Sequence, residues 1–265
     1  MSVAYFRFYA ELNDFLAPAR RMVTFTHSFR GRVSIKDMIE ALGVPHTEVD
    51  LILVNGVSVD FSYLVHNADR VSVYPVFESL DITPVLRVRP RPLRETRFVL
   101  DIHLGKLARY LRLLGFDALY RNDFQDEELV DLSSSQSRIL LTRDRGLLKH
   151  SLVTHGYCLR ETNPRHQLIE VVRRFDLFGS VHPFQRCLHC NGLLQSVEKA
   201  SIHGQLLPAT RQYFNDFRLC STCGKIIGKA RITSECDNSS SSYFSDVTTF
   251  HLKSTSNSLV ARRDR

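Results

Sequence analysis

The chain has 265 residues, of which 43% are hydrophobic and 24% charged, so it can bury a substantial core and is expected to be globular. The first residues show no basic leader before a long apolar run, and no apolar segment approaches about 18 residues. We therefore expect no secretory signal and no transmembrane helix, and we expect the protein to be soluble and cytoplasmic.

The net charge of +7 is unevenly distributed. Residues 1–86 contain 7 Lys/Arg against 10 Asp/Glu, whereas residues 87–265 contain 28 against 18. A basic second part attracts polyanions, and nucleic acid is the commonest of these. Charge alone would serve solubility equally well, so the charge pattern leaves both interpretations open.

Residues 1–82 have the pattern of a small α+β domain. Residues 34–43 predict a helix with Ser34 as its N-cap. Asn55-Gly56, between two apolar runs, predicts a hairpin with a type I′ turn. The remaining apolar runs predict strands at 3–10, 22–27 and 70–76.

Residues 83–97 separate this domain from the rest of the chain. They contain three prolines and five arginines, which predicts an extended basic linker.

From residue 98 onward, predicted strands alternate with predicted helices, which is typical of a parallel sheet with crossover helices. The helix at 104–115 has a buried stripe of Leu104, Leu107, Leu111 and Leu114. Its basic residues fall on another face: Lys106, Arg109 and Arg112.

Acidic residues follow the predicted strands at the edge where parallel sheets bind ligands. Asp101 and Asp144 end two strands, and Asp126 opens a helix near the same edge. Crowded carboxylates favour a divalent cation, and oxygen ligands suit Mg²⁺ or Mn²⁺, which activate water for phosphodiester cleavage. Each acid also has a simpler interpretation, since Asp126 and Asp144 could merely cap the helices that follow them. The nearby candidate phosphate ligands are Lys106, Arg109, Arg143 and Arg145.

The segments FVLDIHLGKLARYLRLLGFDALY, DEEL and RILLTRDRGLL resemble the Mut-seven C-terminal RNase family, a branch of the PIN-like nucleases. The resemblance covers about residues 97–228 and implies a metal-dependent ribonuclease with a PIN-like α/β domain at 98–180. It implies a catalytic set of Asp101, Asp126 and Asp144. Because the register in the acidic patch is ambiguous, further candidate acids are Asp123, Glu127 and Glu128.

The chain departs from the family pattern at two places near this site. Ile102-His103 stands where the family usually has Gly-Met or Arg-Met, and Asn163 is a poor substitute for a fourth acid.

Two CxxC pairs, separated by 29 residues, predict a zinc ribbon at 181–233. The four ligands are Cys187, Cys190, Cys220 and Cys223. Disulfides are disfavoured in a reducing compartment, and two distant CxxC pairs argue against a redox motif. A site closed by four thiolates has no open coordination position, so we expect this zinc to be structural or to help bind RNA, and not to be catalytic. The family's aromatic pair is missing from GKIIGKARI, and residues 234–265 predict a disordered tail.

The first 80 residues resemble the ubiquitin-like β-grasp domain often fused ahead of this RNase, and also sulfur carriers of the same fold. A sulfur carrier needs a free Gly-Gly terminus, whereas this chain continues into the linker. The resemblance therefore implies an independently folding module that binds a protein partner.

Together these features predict metal-dependent hydrolysis of RNA, with structural zinc and catalytic Mg²⁺ or Mn²⁺. The alternative is a non-catalytic RNA- or ribosome-binding adaptor that kept the fold. A full acidic triad favours the enzyme, while the weak fourth acid and the altered ribbon favour the adaptor.

Overall fold

The computed structural model of the protein describes residues 1–75, Val88 and 96–228. Most of the predicted basic linker, the end of the ribbon at 229–233 and the predicted tail at 234–265 lie outside the described residues. No helix within the described ranges is long and apolar enough to cross a membrane.

The first domain is a five-stranded mixed sheet covered on one face by a helix. The sheet order is β2-β1-β5-β3-β4, in which β1 and β5 are parallel and the other pairs antiparallel. This is the predicted ubiquitin-like arrangement. Its elements are β1 (Ser2–Phe8), β2 (Phe25–Phe29), α1 (Ile35–Ala41), β3 (Leu51–Val54), β4 (Val57–Ser58) and β5 (Arg70–Tyr74).

Two local signals in this domain act as the sequence predicts. The Ser34 hydroxyl accepts a 3.1 Å hydrogen bond from the Asp37 N–H and caps α1. Asn55 and Gly56 have φ angles of +51° and +85°, as a type I′ turn requires.

The second domain is a parallel sheet with the order β7-β6-β8-β9, flanked by helices. This confirms the predicted PIN-like α/β class. The predicted helix after Asp144 is only a 3-10 turn at Leu147–Lys149, because its N–H groups bond three residues back. The other elements are β6 (Arg97–Leu100), α2 (Gly105–Leu113), β7 (Asp117–Leu119), α3 (Asp126–Ser135), β8 (Ile139–Thr142), β9 (Gly156–Cys158) and α4 (Pro164–Arg174).

Helix α2 and the turn before it bury the predicted leucine stripe completely, since Leu104, Leu107, Leu111 and Leu114 are each at most 2% exposed. Arg112 differs from Lys106 and Arg109 on the other face, because it is only 4% exposed. The cysteine-bearing module packs over this end of α2 and encloses the Arg112 guanidinium.

The third module is an antiparallel sheet of β10 (Leu194–Val197), β11 (Phe217–Cys220) and β12 (Ile226–Gly228). An insertion between β10 and β11 holds a 3-10 turn and helix α5 (Pro208–Tyr213). This insertion explains the wide separation of the two CxxC pairs. Ile202 and Leu206 of the insertion pack against Phe217 of β11 and Ile226 of β12 in a small core.

The first two domains share one apolar core. Val99, Leu140 and Val153 of the second domain belong to the same buried cluster as Phe6 and Ile39 of the first. The two domains on either side of residues 82–98 therefore have different folds but contribute to the same buried cluster.

Side chains from the flanking modules bond to both outer strands of the parallel sheet. On β9, the Cys158 N–H donates to Glu48 Oε1 of the first domain at 2.6 Å. On β7, the Ala118 N–H donates to Asn191 Oδ1 of the third module at 3.0 Å. These bonds satisfy backbone groups that a neighbouring strand would otherwise pair.

Candidate functional site

Asp101 and Asp144 follow neighbouring parallel strands at the same edge of the sheet. β6 and β8 pair in register with Leu100 opposite Leu141, and the Asp101 N–H continues the ladder to the Leu141 carbonyl at 3.1 Å. Asp101 is half-buried and Asp144 is exposed. The edge is the one at which ligands bind in open parallel sheets.

Thr142, the last residue of β8, connects these two acids. Its side chain is fully buried, and its hydroxyl donates to Asp101 Oδ2 at 2.6 Å. The Thr142 hydroxyl oxygen in turn accepts a hydrogen bond from the Asp144 N–H at 2.9 Å. Sequence reasoning missed Thr142, because a threonine at a strand end is an ordinary β-forming residue.

Each acid also stabilises the local turn. Asp101 Oδ1 accepts from the Ile102 N–H at 2.6 Å, and Asp144 Oδ1 accepts from the Gly146 N–H at 2.6 Å. Because the N-cap of the Leu147–Lys149 turn is Gly146, Asp144 uses Oδ1 to close a two-residue turn and does not cap a helix. Its other oxygen makes no hydrogen bond to any residue that the structure describes.

Among the described residues, Asp126 is not fixed by hydrogen bonds as Asp101 and Asp144 are. It is exposed in the first turn of α3, and neither it nor Glu127 makes a side-chain hydrogen bond or ion pair within the described residues. The N-cap of α3 is Gln125, whose N–H donates to Glu128 Oε2 at 3.2 Å. Asp126 therefore does not cap the helix, and its role as a ligand stays a prediction.

The two other candidate acids of this patch are held by Arg121. The guanidinium donates to Asp123 Oδ1 at 2.9 Å and to Glu128 Oε1 at 3.1 Å. The hydrogen bond from Arg121 holds the pKa of Asp123 below its usual value. Both carboxylates therefore already have a cationic partner, whereas Asp126 has none among the described residues.

The predicted phosphate ligands differ in whether another side chain contacts them. Lys106, Arg109 and Arg143 are exposed. The Arg145 guanidinium lies 4.9 Å above the centre of the Phe15 ring, so the first domain holds it. Arg160, after β9, lies 5.1 Å from the same ring.

Asn163, at the position of a fourth acid, is the N-cap of α4. Its side chain accepts from the Arg165 N–H at 2.9 Å. This capping role explains the asparagine without a metal.

A cleft of about 650 Å³ opens between Glu11 of the first domain and helix α4. Two pairs of side chains that line the cleft contact each other: Arg174 with Glu11 at 3.3 Å, and His166 with Glu161 at 3.6 Å. None of the predicted site residues lines this cleft. We therefore place the candidate site at the sheet edge and not in the cleft.

The four predicted cysteines converge. Their sulfur atoms all lie within 4.8 Å of one another, with Cys187 Sγ 3.7 Å from Cys223 Sγ and Cys190 Sγ 3.4 Å from Cys220 Sγ. Four convergent thiols are suited to a tetrahedral zinc ion. Across the described ranges this is the one group of three or more possible ligands gathered so closely, so the three aspartates are not clustered to the same degree.

The two CxxC segments form the same turn twice. The residue after each second cysteine has a positive φ, +68° at Asn191 and +69° at Gly224. Its N–H bonds to the carbonyl of the first cysteine at 3.0 Å in both turns. Gly192 is required here, because an added Cβ would lie 2.4 Å from the Thr222 hydroxyl oxygen.

The thiols differ in acidity. Burial raises the pKa of Cys190 to about 12. Burial also disfavours the Cys220 thiolate, but hydrogen bonds from the Cys223 and Thr222 backbone amides outweigh it and lower the pKa of Cys220 to about 7. One thiolate is therefore favoured near neutral pH, and zinc binding would displace protons from the others.

A ubiquitin-like sheet, a PIN-like α/β domain with two acids at the carboxyl edge, and a four-cysteine ribbon together define an RNase-type protein with a fused ubiquitin-like domain. The family model for the Mut7-C RNAse domain matches residues 96–230, just over half of the 265 residues. The model for Mut7-C ubiquitin matches residues 1–81. The chain therefore belongs to the Mut7-C RNAse domain family. No curated protein and no solved structure gives a significant match.

Proposed function

We propose that the protein is a metal-dependent ribonuclease that hydrolyses RNA phosphodiester bonds at the edge formed by Asp101 and Asp144. The observation that carries this proposal is the Asp101–Thr142–Asp144 arrangement on neighbouring parallel strands, in a domain of an RNase family.

The residues at this edge fit a divalent cation. They offer carboxylate oxygens, and one oxygen of Asp144 is not engaged by any described residue. Oxygen ligands of this kind suit Mg²⁺ or Mn²⁺, and such an ion when bound lowers the pKa of a coordinated water and stabilises charge on the phosphate. Asp101, Asp144 and Asp126 would hold it, with Asp126 approaching from α3.

The chain's own residues supply the rest of the site. Thr142 fixes the orientation of the Asp101 carboxylate and the backbone of Asp144. Lys106 and Arg109 lie three residues apart on α2, so both cations can contact one RNA backbone. Arg143 provides a further exposed cation beside Asp144, whereas Arg145 is shared with Phe15.

We assign a structural zinc ion to Cys187, Cys190, Cys220 and Cys223, whose free thiols suit a reducing compartment such as the cytoplasm. The ubiquitin-like domain is the candidate surface for a protein partner.

A non-catalytic RNA-binding adaptor is the second candidate. Among the described residues these three aspartates, Asp101, Asp126 and Asp144, do not form a close cluster, which favours the adaptor, as does the use of Asn163 as a helix cap. An adaptor needs only the exposed cations and the ribbon.

The deciding experiment incubates the purified full-length protein with single-stranded and structured RNA in Mn²⁺, in Mg²⁺ or in EDTA. The ribonuclease predicts cleavage with either metal ion and none in EDTA. RNA binding without cleavage under every metal condition would instead support the adaptor.

A further inference from the structure

The outer edge of β7 is completed by two side chains instead of a strand. Both backbone groups of Ala118 turn away from β6. The Ala118 N–H donates to Asn191 Oδ1 at 3.0 Å, and its carbonyl accepts from Arg112 Nε at 2.8 Å. Both side chains also bond to the first cysteine turn or belong to it.

Asn191 directly follows Cys190 and is 7% exposed. Its backbone N–H closes the cysteine turn by bonding to the Cys187 carbonyl at 3.0 Å. Its side chain joins that turn to β7 twice, because Nδ2 also donates to Asp117 Oδ1 at 2.7 Å. One residue is thus shared between the turn that presents the thiols and the strand.

Arg112 makes the second link from the side of helix α2. Its Nη1 donates to the His189 carbonyl at 3.0 Å and to the Leu188 carbonyl at 3.3 Å. These carbonyls lie between the two cysteines of the turn. The same guanidinium bonds to the Ala118 carbonyl through a different nitrogen. Arg112 therefore holds the cysteine turn and the strand together.

The strand leads directly to the candidate acid. Tyr120 follows β7, and its hydroxyl donates to the Ile102 carbonyl at 2.8 Å. Ile102 is the residue after Asp101, and its N–H bonds to the Asp101 carboxylate at 2.6 Å. An unbroken series of hydrogen bonds and covalent bonds therefore joins the cysteine turn to Asp101.

We propose that Asn191 and Arg112 are positioning residues that couple metal binding by the four cysteines to the order of β7, and through Tyr120 to the turn that carries Asp101. This proposal rests on the zinc assignment but not on RNA cleavage. Coupling of this kind is reciprocal, so an ordered β7 must also strengthen zinc binding.

The test is hydrogen exchange, read by mass spectrometry, in the peptide covering residues 116–121 of the full-length protein. In the wild type, removing zinc with a chelator is expected to speed exchange in this peptide. Asn191→Gly accepts the positive φ of +68° without strain but removes both side-chain links. With zinc still bound, this variant is expected to exchange in 116–121 as fast as the stripped wild type.

The reciprocal measurement is the zinc affinity, determined by equilibrium competition with a chromogenic chelator. Asn191→Gly is expected to bind zinc about 5- to 150-fold more weakly than the wild type. The matched control is Asn215→Ala, which removes an exposed ribbon amide bonded only to Lys199 among the described residues. The control is expected to match the wild type in both measurements.

If Asn191→Gly does not fold, Arg112→Lys gives the same test. Lysine keeps the charge beside the thiols, but its donors sit on one nitrogen and cannot reproduce the fork that reaches β7 through Nε and the cysteine turn through Nη1. The coupling is overturned if the zinc-loaded variants exchange hydrogen in residues 116–121 as slowly as the wild type and bind zinc as tightly. If native mass spectrometry shows no zinc bound to the wild type, the zinc assignment and the coupling are both overturned. RNA cleavage is measured in a separate assay, so this outcome does not decide the proposed ribonuclease function.

Discussion

The Thr142 hydroxyl donates a 2.6 Å hydrogen bond to Asp101 Oδ2, across neighbouring strands of the parallel sheet. The same hydroxyl oxygen holds the Asp144 N–H at 2.9 Å. One fully buried threonine therefore fixes the relative position of the two acids.

Thr142→Val keeps the shape of this side chain and removes its hydroxyl. The Asp144 N–H then loses its partner, so unfolding free energy should fall by about 1–3 kcal/mol. RNA cleavage should fall by about 100-fold, because small misplacements of catalytic groups have effects of this size. Thr142→Ser restores the hydroxyl and should recover most of the activity. Equal cleavage by the Val and Ser variants would show that the hydroxyl does not position the acids.

Asp144→Asn and Asp101→Asn separate metal binding from turn capping. An amide oxygen can still accept the Gly146 N–H in the first variant, so the change in unfolding free energy should stay within about 0.5 kcal/mol. Both variants lose the charge that a divalent cation requires and should lose nearly all cleavage. Asp131→Asn, at an exposed position of α3, is the control and should cleave like the wild type. Undiminished cleavage in both site variants contradicts the catalytic assignment.

The cysteine site predicts one tightly bound zinc ion per chain, measured by native mass spectrometry. Cys187→Ser combined with Cys220→Ser removes two ligands and should abolish zinc binding. Cys158→Ala removes a cysteine of β9 that lies outside the cluster, and it should leave one zinc in place. Unchanged stoichiometry in the double variant would show that the metal binds elsewhere.

Asp117 gives the protein a stability that depends on pH. Burial alone would raise the pKa of Asp117, but hydrogen bonds from Arg138 and Asn191 outweigh it and hold the pKa below its usual value. A carboxyl group with a lowered folded-state pKa stabilises the fold above its unfolded pKa of about 4, and this contribution disappears as the pH falls through the lower folded value.

Asp117→Asn should therefore be less stable than the wild type at pH 7. The difference should shrink below about pH 4, where the carboxyl group of the unfolded chain becomes protonated, and should vanish once the folded carboxyl group is protonated as well. Chemical denaturation at several pH values measures it, with Asp131→Asn as the control that shows no such trend. A difference that stays constant down to pH 2 would mean that the charge of Asp117 is not responsible.

Glu48 binds the first domain to the second from a fully buried position. Besides the Cys158 N–H, its carboxylate faces Arg160 at 3.6 Å and Arg174 at 3.9 Å. Glu48→Gln keeps an acceptor for the N–H and removes the charge that faces the two arginines. Arg160 keeps Asp14 and Arg174 keeps Glu11 as partners, so the loss should be about 1–3 kcal/mol. Thermal unfolding measures the loss, and Glu198→Gln, on the exposed surface of the ribbon, should cause none. An unchanged melting temperature in Glu48→Gln would show that the carboxylate charge is not needed at this interface.

Local sequence signals predicted much of this structure, but they did not predict the contacts between residues that are far apart in the sequence. Ser34 and Asn55-Gly56 act within a few residues, so their effects are readable from the sequence. The cysteine pairs are readable because thiol spacing is specific. Glu48 and Cys158 meet across 110 positions, and Asn191 and Ala118 across 73, so neither side chain carries a local sign of its partner. Arg112 follows the helical period of the polar face, but the ribbon that covers it comes from a later segment.

The core shared by the first two domains affects how the protein folds during synthesis. Phe6 and Ile39 leave the ribosome early, but Leu140 and Val153, which pack in the same cluster, follow about a hundred residues later. Domains usually fold as units from the N-terminus, and incompletely packed intermediates expose apolar surface. The nascent ubiquitin-like domain therefore lacks part of this shared packing until the RNase domain has emerged, and until then it exposes apolar surface that the finished protein buries.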